Sequence, residues 1–172
     1  ENTIIIFAGD NGLAVGQHGL MGKQNVYEHS VGVPLMIKAA AQHTGKKTAD
    51  LCYLIDVFPT LCDMLQLPVP QSVDGISLLS SLDGKEPVRD YLYYSYMDNQ
   101  RGISDGTWKL IEYHVNGKRT TQLFNLKNDP WERNDLSGQK KYEKTIQRLR
   151  EKMAEEQKRT NDTSVFWNNF SY

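Results

Sequence analysis

Two adjacent side chains near the start of the sequence, Asp10 and Asn11, carry the oxygen donors that a hard cation prefers. They follow the segment Thr3–Ala8, whose continuous apolar and β-branched residues predict a buried strand. Ligands of open α/β sheets bind outside the carboxyl ends of strands, where this pair is expected to lie. Two donors do not complete a coordination sphere, and Asp-Asn-Gly is also a common turn. The pair therefore indicates a metal site only if other residues complete it.

The glycine-rich segment from Gly9 to Gly32 brings further ionisable groups directly after this pair. Its composition predicts a loop that contains a short helix. The side chains in it that could contact an anion or order the loop are His18, Lys23, Glu28 and His29. We therefore expect a functional loop immediately after the first strand.

The strand at Thr3–Ala8 has the sequence of a central parallel strand that is buried on both faces. A central strand needs neighbours on both sides, so we expect this chain to be the C-terminal portion of a longer α/β protein. A second strand is predicted over Val33–Ala39, with Pro34 near its start, where a missing N–H is tolerated.

A helix is predicted from Val57 to about Leu67, with Asp56 as its N-cap and Pro59 in its first turn. Apolar residues recur along it at helical spacing and predict one buried face. These residues are Phe58, Leu61, Cys62 and Leu65.

The pattern changes near residue 90, after a connector rich in proline, serine and glycine. Four short strands are predicted over Tyr91–Tyr96, Arg101–Ser104, Thr107–Val115 and Thr120–Leu126. Turn pairs at Asp105-Gly106 and Asn116-Gly117 predict an antiparallel meander. A helix with one apolar stripe is predicted over Lys140–Arg159 and is expected to pack on this sheet. We expect two domains, with residues 1–90 forming part of an α/β domain and residues 91–172 a small α+β domain.

Composition excludes several classes of protein. The 172 residues carry a net charge of -1, which argues against a strongly basic nucleic-acid binder. Apolar residues make up 39%, enough for a core, yet no apolar run approaches the length of a membrane span. Two cysteines, Cys52 and Cys62, exclude a disulfide-stapled miniprotein and a four-cysteine zinc site.

The segment Thr3–Ile37 resembles the sulfatases of the alkaline phosphatase superfamily. Those enzymes combine an apolar strand, Asp-Asn-Gly, a Gly-x-His-Gly loop, Gly-Lys, Tyr-Glu and Val-Pro-Leu, and this chain has the same motifs in the same order. The helix start at Asp56–Leu61 is similar to a family motif, Asp-x-x-Pro-Thr-Leu. The later segments Leu123–Leu126, Asp129–Glu132 and Asn134–Leu136 are similar to the family's C-terminal signature.

The resemblance implies an alkaline-phosphatase-like mixed α/β fold and hydrolysis of a sulfate monoester. It implies that Asp10 and Asn11 are two ligands of a divalent cation, usually calcium, and that Lys23 contacts the sulfate ester. A cation and an ammonium group would supply preorganised positive charge to the sulfate oxygens. His18 lies in the matching loop, where it either contacts the substrate or braces the loop. Glu28 and His29 are expected to order the loop.

The chain also departs from the family pattern. The family nucleophile is a formylglycine made from Cys or Ser in a Cys/Ser-x-Pro-x-Arg motif, and this sequence contains neither that motif nor the family's first aspartate pair. Both belong to the family's N-terminal half, which we expect to precede this chain. We therefore expect this chain alone to hydrolyse no sulfate ester. Gly32 stands where relatives often carry an arginine, so the ion pair that this arginine would make is in question.

Two alternatives to a sulfatase follow from the same residues. A phosphoryl or phosphonate ester hydrolase of the same superfamily could use the same cation and lysine. A non-catalytic module could retain Asp10 and Lys23 without activity. For a sulfatase, the substrate is a carbohydrate or aryl sulfate, and the resemblance implies a periplasmic or secreted protein.

Overall fold

The computed structural model describes residues 3–39 and 45–164, which form two compact units. The first unit comprises the described residues of 1–10 and 33–92, and the second comprises 11–32 and those from 93 onward. The candidate loop that follows the first strand thus belongs to the same unit as the C-terminal half of the chain. The expected division into two domains near residue 90 stays a prediction.

The strands and α-helices follow one another in the order β1 (Ile5–Ala8), β2 (Ala14–Val15), β3 (Met21–Gly22), α1 (Glu28–Val31), β4 (Leu35–Lys38), α2 (Val57–Met64), α3 (Leu79–Leu82), β5 (Leu92–Tyr96), β6 (Gln100–Ser104), β7 (Trp108–Val115), β8 (Lys118–Asn125) and α4 (Glu143–Arg159). Short 3-10 turns precede or interrupt these elements at Gln17–Gly19, Leu54–Asp56 and Lys140–Tyr142.

The first strand differs from its prediction. β1 pairs with β4 in an antiparallel ribbon in which Phe7 lies opposite Met36. Ile5 and Phe7 are 53% and 56% exposed, so the prediction of a parallel strand buried on both faces is wrong for this structure. A continuous apolar run indicates which side chains favour burial, but it contains no information about the direction of the partner strand.

The helix predicted after Asp56 is confirmed. The predicted capping role of Asp56 and the predicted buried face of the helix are wrong. α2 ends at Met64, and its buried residues are Pro59, Thr60 and Cys62, whereas Phe58 and Leu65 are about half exposed. The Asp56 carboxylate makes no capping hydrogen bond to α2. It accepts the backbone N–H groups of Tyr53 and Ile76, both at 2.8 Å, and therefore joins two segments instead of capping the helix.

The second unit contains the predicted antiparallel sheet, in the strand order β5-β6-β7-β8. β7 pairs antiparallel with both β6 and β8. Asn116 and Gly117 connect β7 to β8 with φ angles of 52° and 72°, and such positive values at both central residues are what a type I′ hairpin turn requires. The sequence therefore predicted the meander and its tightest turn correctly.

Helix α4 packs on β6 and β7, as expected. Its predicted apolar stripe forms the buried side, where Ile146, Leu149 and Met153 are at most 8% exposed. The core between the helix and the sheet includes Ile103 and Leu110, both fully buried. Among the residues that the structure describes, no helix has the length and apolar character needed to cross a membrane.

Candidate active-site loop

Asp10 and Asn11 lie just beyond the end of β1, as predicted. The side-chain amide of Asn11 donates to the Ser30 carbonyl at 3.0 Å, and the backbone N–H of Gly12 donates to the same oxygen at 3.0 Å. This donation by Nδ2 fixes which end of the amide carries the oxygen. A Cβ on Gly12 would stand 1.9 Å from the His29 carbonyl oxygen, so only glycine allows this close approach to α1.

The loop that contains His18 is a small hairpin of β2 and β3 closed by the 3-10 turn. His18 has a φ of 55°, a left-handed conformation that is uncommon for residues other than glycine. Its ring stacks on Tyr27 with the centroids 3.9 Å apart and the planes 4° apart. The stack holds an otherwise unfavourable backbone conformation at the residue that the resemblance placed in the site.

His29 completes a group of three aromatic rings. Its ring lies 5.5 Å from that of His18 and 5.7 Å from that of Tyr27. Its Nε2 is buried and has no hydrogen-bond partner within the described part of the chain. Burial lowers the pKa of His29, and the nearby His18 and the Lys109 ammonium lower it further. His29 is therefore held toward its neutral form.

Lys23 directly follows β3 and is exposed. The backbone after it turns sharply, since the N–H of Asn25 donates to the Lys23 carbonyl at 2.9 Å. Asn25 is buried, and its side-chain oxygen accepts the N–H of Tyr27 at 3.1 Å. The segment between Lys23 and Tyr27 therefore has a defined path.

Glu28 is anchored by residues that lie far away in the sequence. The Lys109 ammonium lies 2.7 Å from Glu28 Oε1 and 3.1 Å from Glu132 Oε1. The other oxygen of Glu132 accepts the backbone N–H of Glu28 at 2.6 Å. Burial raises the pKa of the Glu132 carboxyl, while the Lys109 charge acts in the opposite direction.

Lys109 belongs to none of the sequence motifs, and Glu132 belongs only to the C-terminal signature, so neither was predicted as a site residue. The sequence does contain one indication for Lys109. It is a charged residue near the start of a predicted strand and is followed by the apolar pair Leu110-Ile111. A lysine with no exposed surface must have anionic partners. The sequence does not indicate which carboxylates these partners are, since Glu28 is 81 positions away.

The donor set fits part of a calcium site. Asp10 and Asn11 supply oxygen donors of the kind calcium takes, but calcium takes about six to eight of them. Across residues 3–39 and 45–164, no group of three or more His, Cys, Asp or Glu side chains could hold a metal. Asp10 and Asn11 therefore suit a coordination sphere that other groups complete.

The comparison with protein families decides the class of this chain. Residues 16–159 match the family described as N-sulphoglucosamine sulphohydrolase, C-terminal. The chain belongs to the sulfatase family. The sequence-based resemblance and the assignment to an enzyme family are thereby confirmed, and the match includes His18, Lys23, Glu28, Lys109 and Glu132.

Individual relatives agree with this assignment. An N-acetylglucosamine-6-O-sulfatase of Bacteroides thetaiotaomicron is 30% identical, in a match that covers 94% of this chain and 31% of the relative. A solved structure of a protein in complex with its substrate, D-glucosamine-2-N,6-O-disulfate, has a TM-score of 0.76 at 28% identity, and the match covers 95% of this chain and 35% of the other. The chain thus spans about a third of the length of these relatives, and the predicted fold class is confirmed.

A second enzyme class shares the fold. A phosphonate monoester hydrolase of Agrobacterium radiobacter has a TM-score of 0.73 at 25% identity, covering 88% of this chain and 34% of the other. Fold similarity therefore does not by itself separate sulfate from phosphonate chemistry.

Proposed function

We propose that this chain supplies part of the active site of a sulfatase that hydrolyses a sulfate monoester. The observation that carries the proposal is the family match over residues 16–159, which includes the loop of His18 and Lys23. The matching enzymes are about three times longer than this chain, so the proposed activity is that of a longer protein.

In this proposal, Asp10 and Asn11 are two ligands of a divalent cation, with calcium the expected metal. The cation, when bound, would supply positive charge to the sulfate oxygens. The hydrogen bond from Asn11 Nδ2 to Ser30 supports the role of Asn11, because it fixes the orientation of the amide, whose oxygen is the atom of that side chain that can bind a cation. Asp10, adjacent in sequence, would contribute the negative charge.

Lys23 is proposed to contact the sulfate ester with its ammonium group. Its exposure supports this role, because an active-site lysine must reach a substrate. A positively charged group that is fixed before reaction stabilises charge that develops on the sulfate oxygens and on the leaving oxygen.

His18 is proposed to hydrogen-bond the substrate or the leaving oxygen through its ring nitrogens. Stacking on Tyr27 occupies the face of the imidazole, whereas both nitrogens lie at its edge. The stack would therefore orient the ring and leave its polar edge for the substrate.

The substrate is proposed to be a sulfated sugar. Two similar proteins support this class, one named an N-acetylglucosamine-6-O-sulfatase and one solved with a sulfated glucosamine. The nucleophile, expected to be formylglycine, would come from residues outside these 172, and export to the periplasm or beyond the cell is part of the same proposal.

The experiment compares ester classes on the full-length protein. We expect sulfate release from glucosamine 6-sulfate or 4-nitrophenyl sulfate, with a much lower rate on the matched phosphate and phosphonate esters. The 172-residue chain alone serves as the inactive control. Preferential turnover of the phosphonate would favour the phosphonate hydrolase, and no turnover of any ester by the full-length protein would favour a non-catalytic module.

A further inference from the structure

We propose that Lys109 and Glu132 are positioning residues that fix the Tyr27–Glu28 segment and, through the Tyr27 ring, hold His18 in the orientation needed for contact with the sulfate ester. The inference rests on the proposed function for the role of His18. The physical coupling between Lys109 and His18 can be measured without any substrate.

Lys109 has no exposed side-chain surface and belongs to β7, in the middle of the sheet. Its ammonium contacts one oxygen each of Glu28 and Glu132 and lies 5.0 Å from the centre of the Tyr94 ring. A buried charge that loses its partners is strongly unfavourable, so the carboxylates must remain close to this ammonium. The rigid sheet therefore sets the position of Glu28.

Glu132 adds a second constraint on the same residue. Its carboxylate is almost fully buried, and it bridges the Lys109 ammonium and the backbone N–H of Glu28. This N–H belongs to the first residue of α1, where helix geometry leaves donors without an internal partner. Both the side chain and the backbone of Glu28 are thus fixed by the Lys109–Glu132 pair.

Tyr27 transmits this constraint to His18. It precedes Glu28, is 5% exposed, and donates its hydroxyl to Gln122 of β8 at 2.6 Å. The hydroxyl end of the Tyr27 side chain is therefore held by the sheet, and the Tyr27 backbone is held by its bond to the fixed residue Glu28. His18, in its left-handed conformation, stacks directly on this ring.

The chain after α1 passes close to Glu28 at Gly32. A Cβ at Gly32 would lie 2.9 Å from the Glu28 carbonyl oxygen and 3.0 Å from Glu28 Oε2, so the absence of a side chain at this position leaves Glu28 its place beside the Lys109 ammonium.

The test uses the full-length protein with 13C-labelled histidine and follows the ring protons of His18 by NMR. The His18 signal is identified by its loss in His18→Ala. Because the His18 ring stacks on Tyr27 with the centroids 3.9 Å apart, we expect the ring current of Tyr27 to shift these protons upfield. We expect Lys109→Met to remove most of this shift. Glu132→Gln keeps the shape of the side chain and is the second variant, to be used if Lys109→Met does not fold. It should also reduce the shift.

The matched control is Arg101→Met. Arg101 is another buried cation of the same sheet, on β6, but its ion-pair partner is Asp162, after α4. This variant should lose stability while keeping the His18 shift. An unchanged His18 shift in a folded Lys109→Met or Glu132→Gln variant overturns the proposal, as does an equal loss of shift in Arg101→Met.

A kinetic cycle on 4-nitrophenyl sulfate tests the catalytic consequence. We expect Lys109→Met to lower kcat by about tenfold or more at unchanged metal content, but by less than about threefold when His18 is already alanine. Equal losses in both backgrounds would show that Lys109 does not act through His18. If the wild-type protein hydrolyses no sulfate ester, the proposed function fails, while the NMR measurement still decides the coupling.

Discussion

Arg89 donates to both oxygens of the Asp56 carboxylate, from Nε at 3.1 Å and from a terminal nitrogen at 2.5 Å. Asp56 is fully buried, the Arg89 side chain is 6% exposed, and the guanidinium lies 4.7 Å from the centre of the Tyr53 ring. With the N–H groups of Tyr53 and Ile76 also directed at it, this carboxylate connects segments across the first unit. The pair is therefore a structural centre of that unit.

Replacing Arg89 by methionine should destabilise the protein by about 3–5 kcal/mol, because it leaves a buried carboxylate without its cation. Lys85→Met is the matched control, since Lys85 forms an ion pair with Asp83 in the same unit but is 71% exposed. Exposed pairs contribute about 0–1 kcal/mol. Urea denaturation measures both, and equal effects of the two substitutions would contradict the assigned importance of the Asp56 pair.

Local pattern was enough to predict the four-stranded sheet and helix α4 of the second unit. The strands β5 to β8 and helix α4 are made of contacts between neighbours in sequence, so turn pairs and periodicity determine them. The first unit was harder. Asp56 has the sequence position of an N-cap, but Arg89, 33 residues later, recruits its carboxylate for a long-range pair. Rules based on local sequence cannot tell whether a carboxylate will cap a helix or pair with a distant residue that only the folded chain brings near.

The candidate site shows the same division. The positions of Asp10 and Asn11 after a strand, and of His18 and Lys23 in one loop, were predicted from motifs that are contiguous in sequence. The supports of this loop were not predicted, because Lys109 and Glu132 reach Glu28 across 81 and 104 positions. A single sequence contains no measure of which of its many charged residues meet over such separations.

Gly117→Ala should destabilise the second unit by about 1 kcal/mol or more. Gly117 has a φ of 72° in the β7–β8 turn, and an alanine there is strained by its Cβ even though the surrounding space is open. Gly138→Ala is the control, because Gly138 also has open space but no left-handed φ. Thermal unfolding should show a lower Tm for Gly117→Ala alone. A Gly117→Ala protein as stable as the wild type would exclude strain at this turn.

His29 should titrate below its usual pKa of about 6.5. Burial disfavours its charged form, and His18 and Lys109 add repulsion. The unfolded state then binds the proton more readily, so the contribution of His29 to stability is complete above about pH 6.5 and is lost as pH falls through the lowered pKa of the folded state. Histidine NMR titration measures this pKa directly. Lys109→Met should raise it, whereas a value at or above 6.5 in the wild type would refute the predicted environment.

Asp10 and Lys23 should separate metal binding from turnover in the full-length enzyme. Asp10→Ala should lose both metal and rate, because it removes an anionic ligand of the cation. Lys23→Ala should keep the metal but lower kcat on 4-nitrophenyl sulfate by about 100- to 1,000-fold, the usual loss for one preorganised contact with developing charge. Lys23→Arg should restore only part of the rate, since a planar guanidinium cannot replace a compact ammonium. Metal content by mass spectrometry is measured beside kcat for each variant. Full metal occupancy in Asp10→Ala would remove Asp10 from the ligand set, and near-normal kcat in Lys23→Ala would reduce Lys23 to a loop residue.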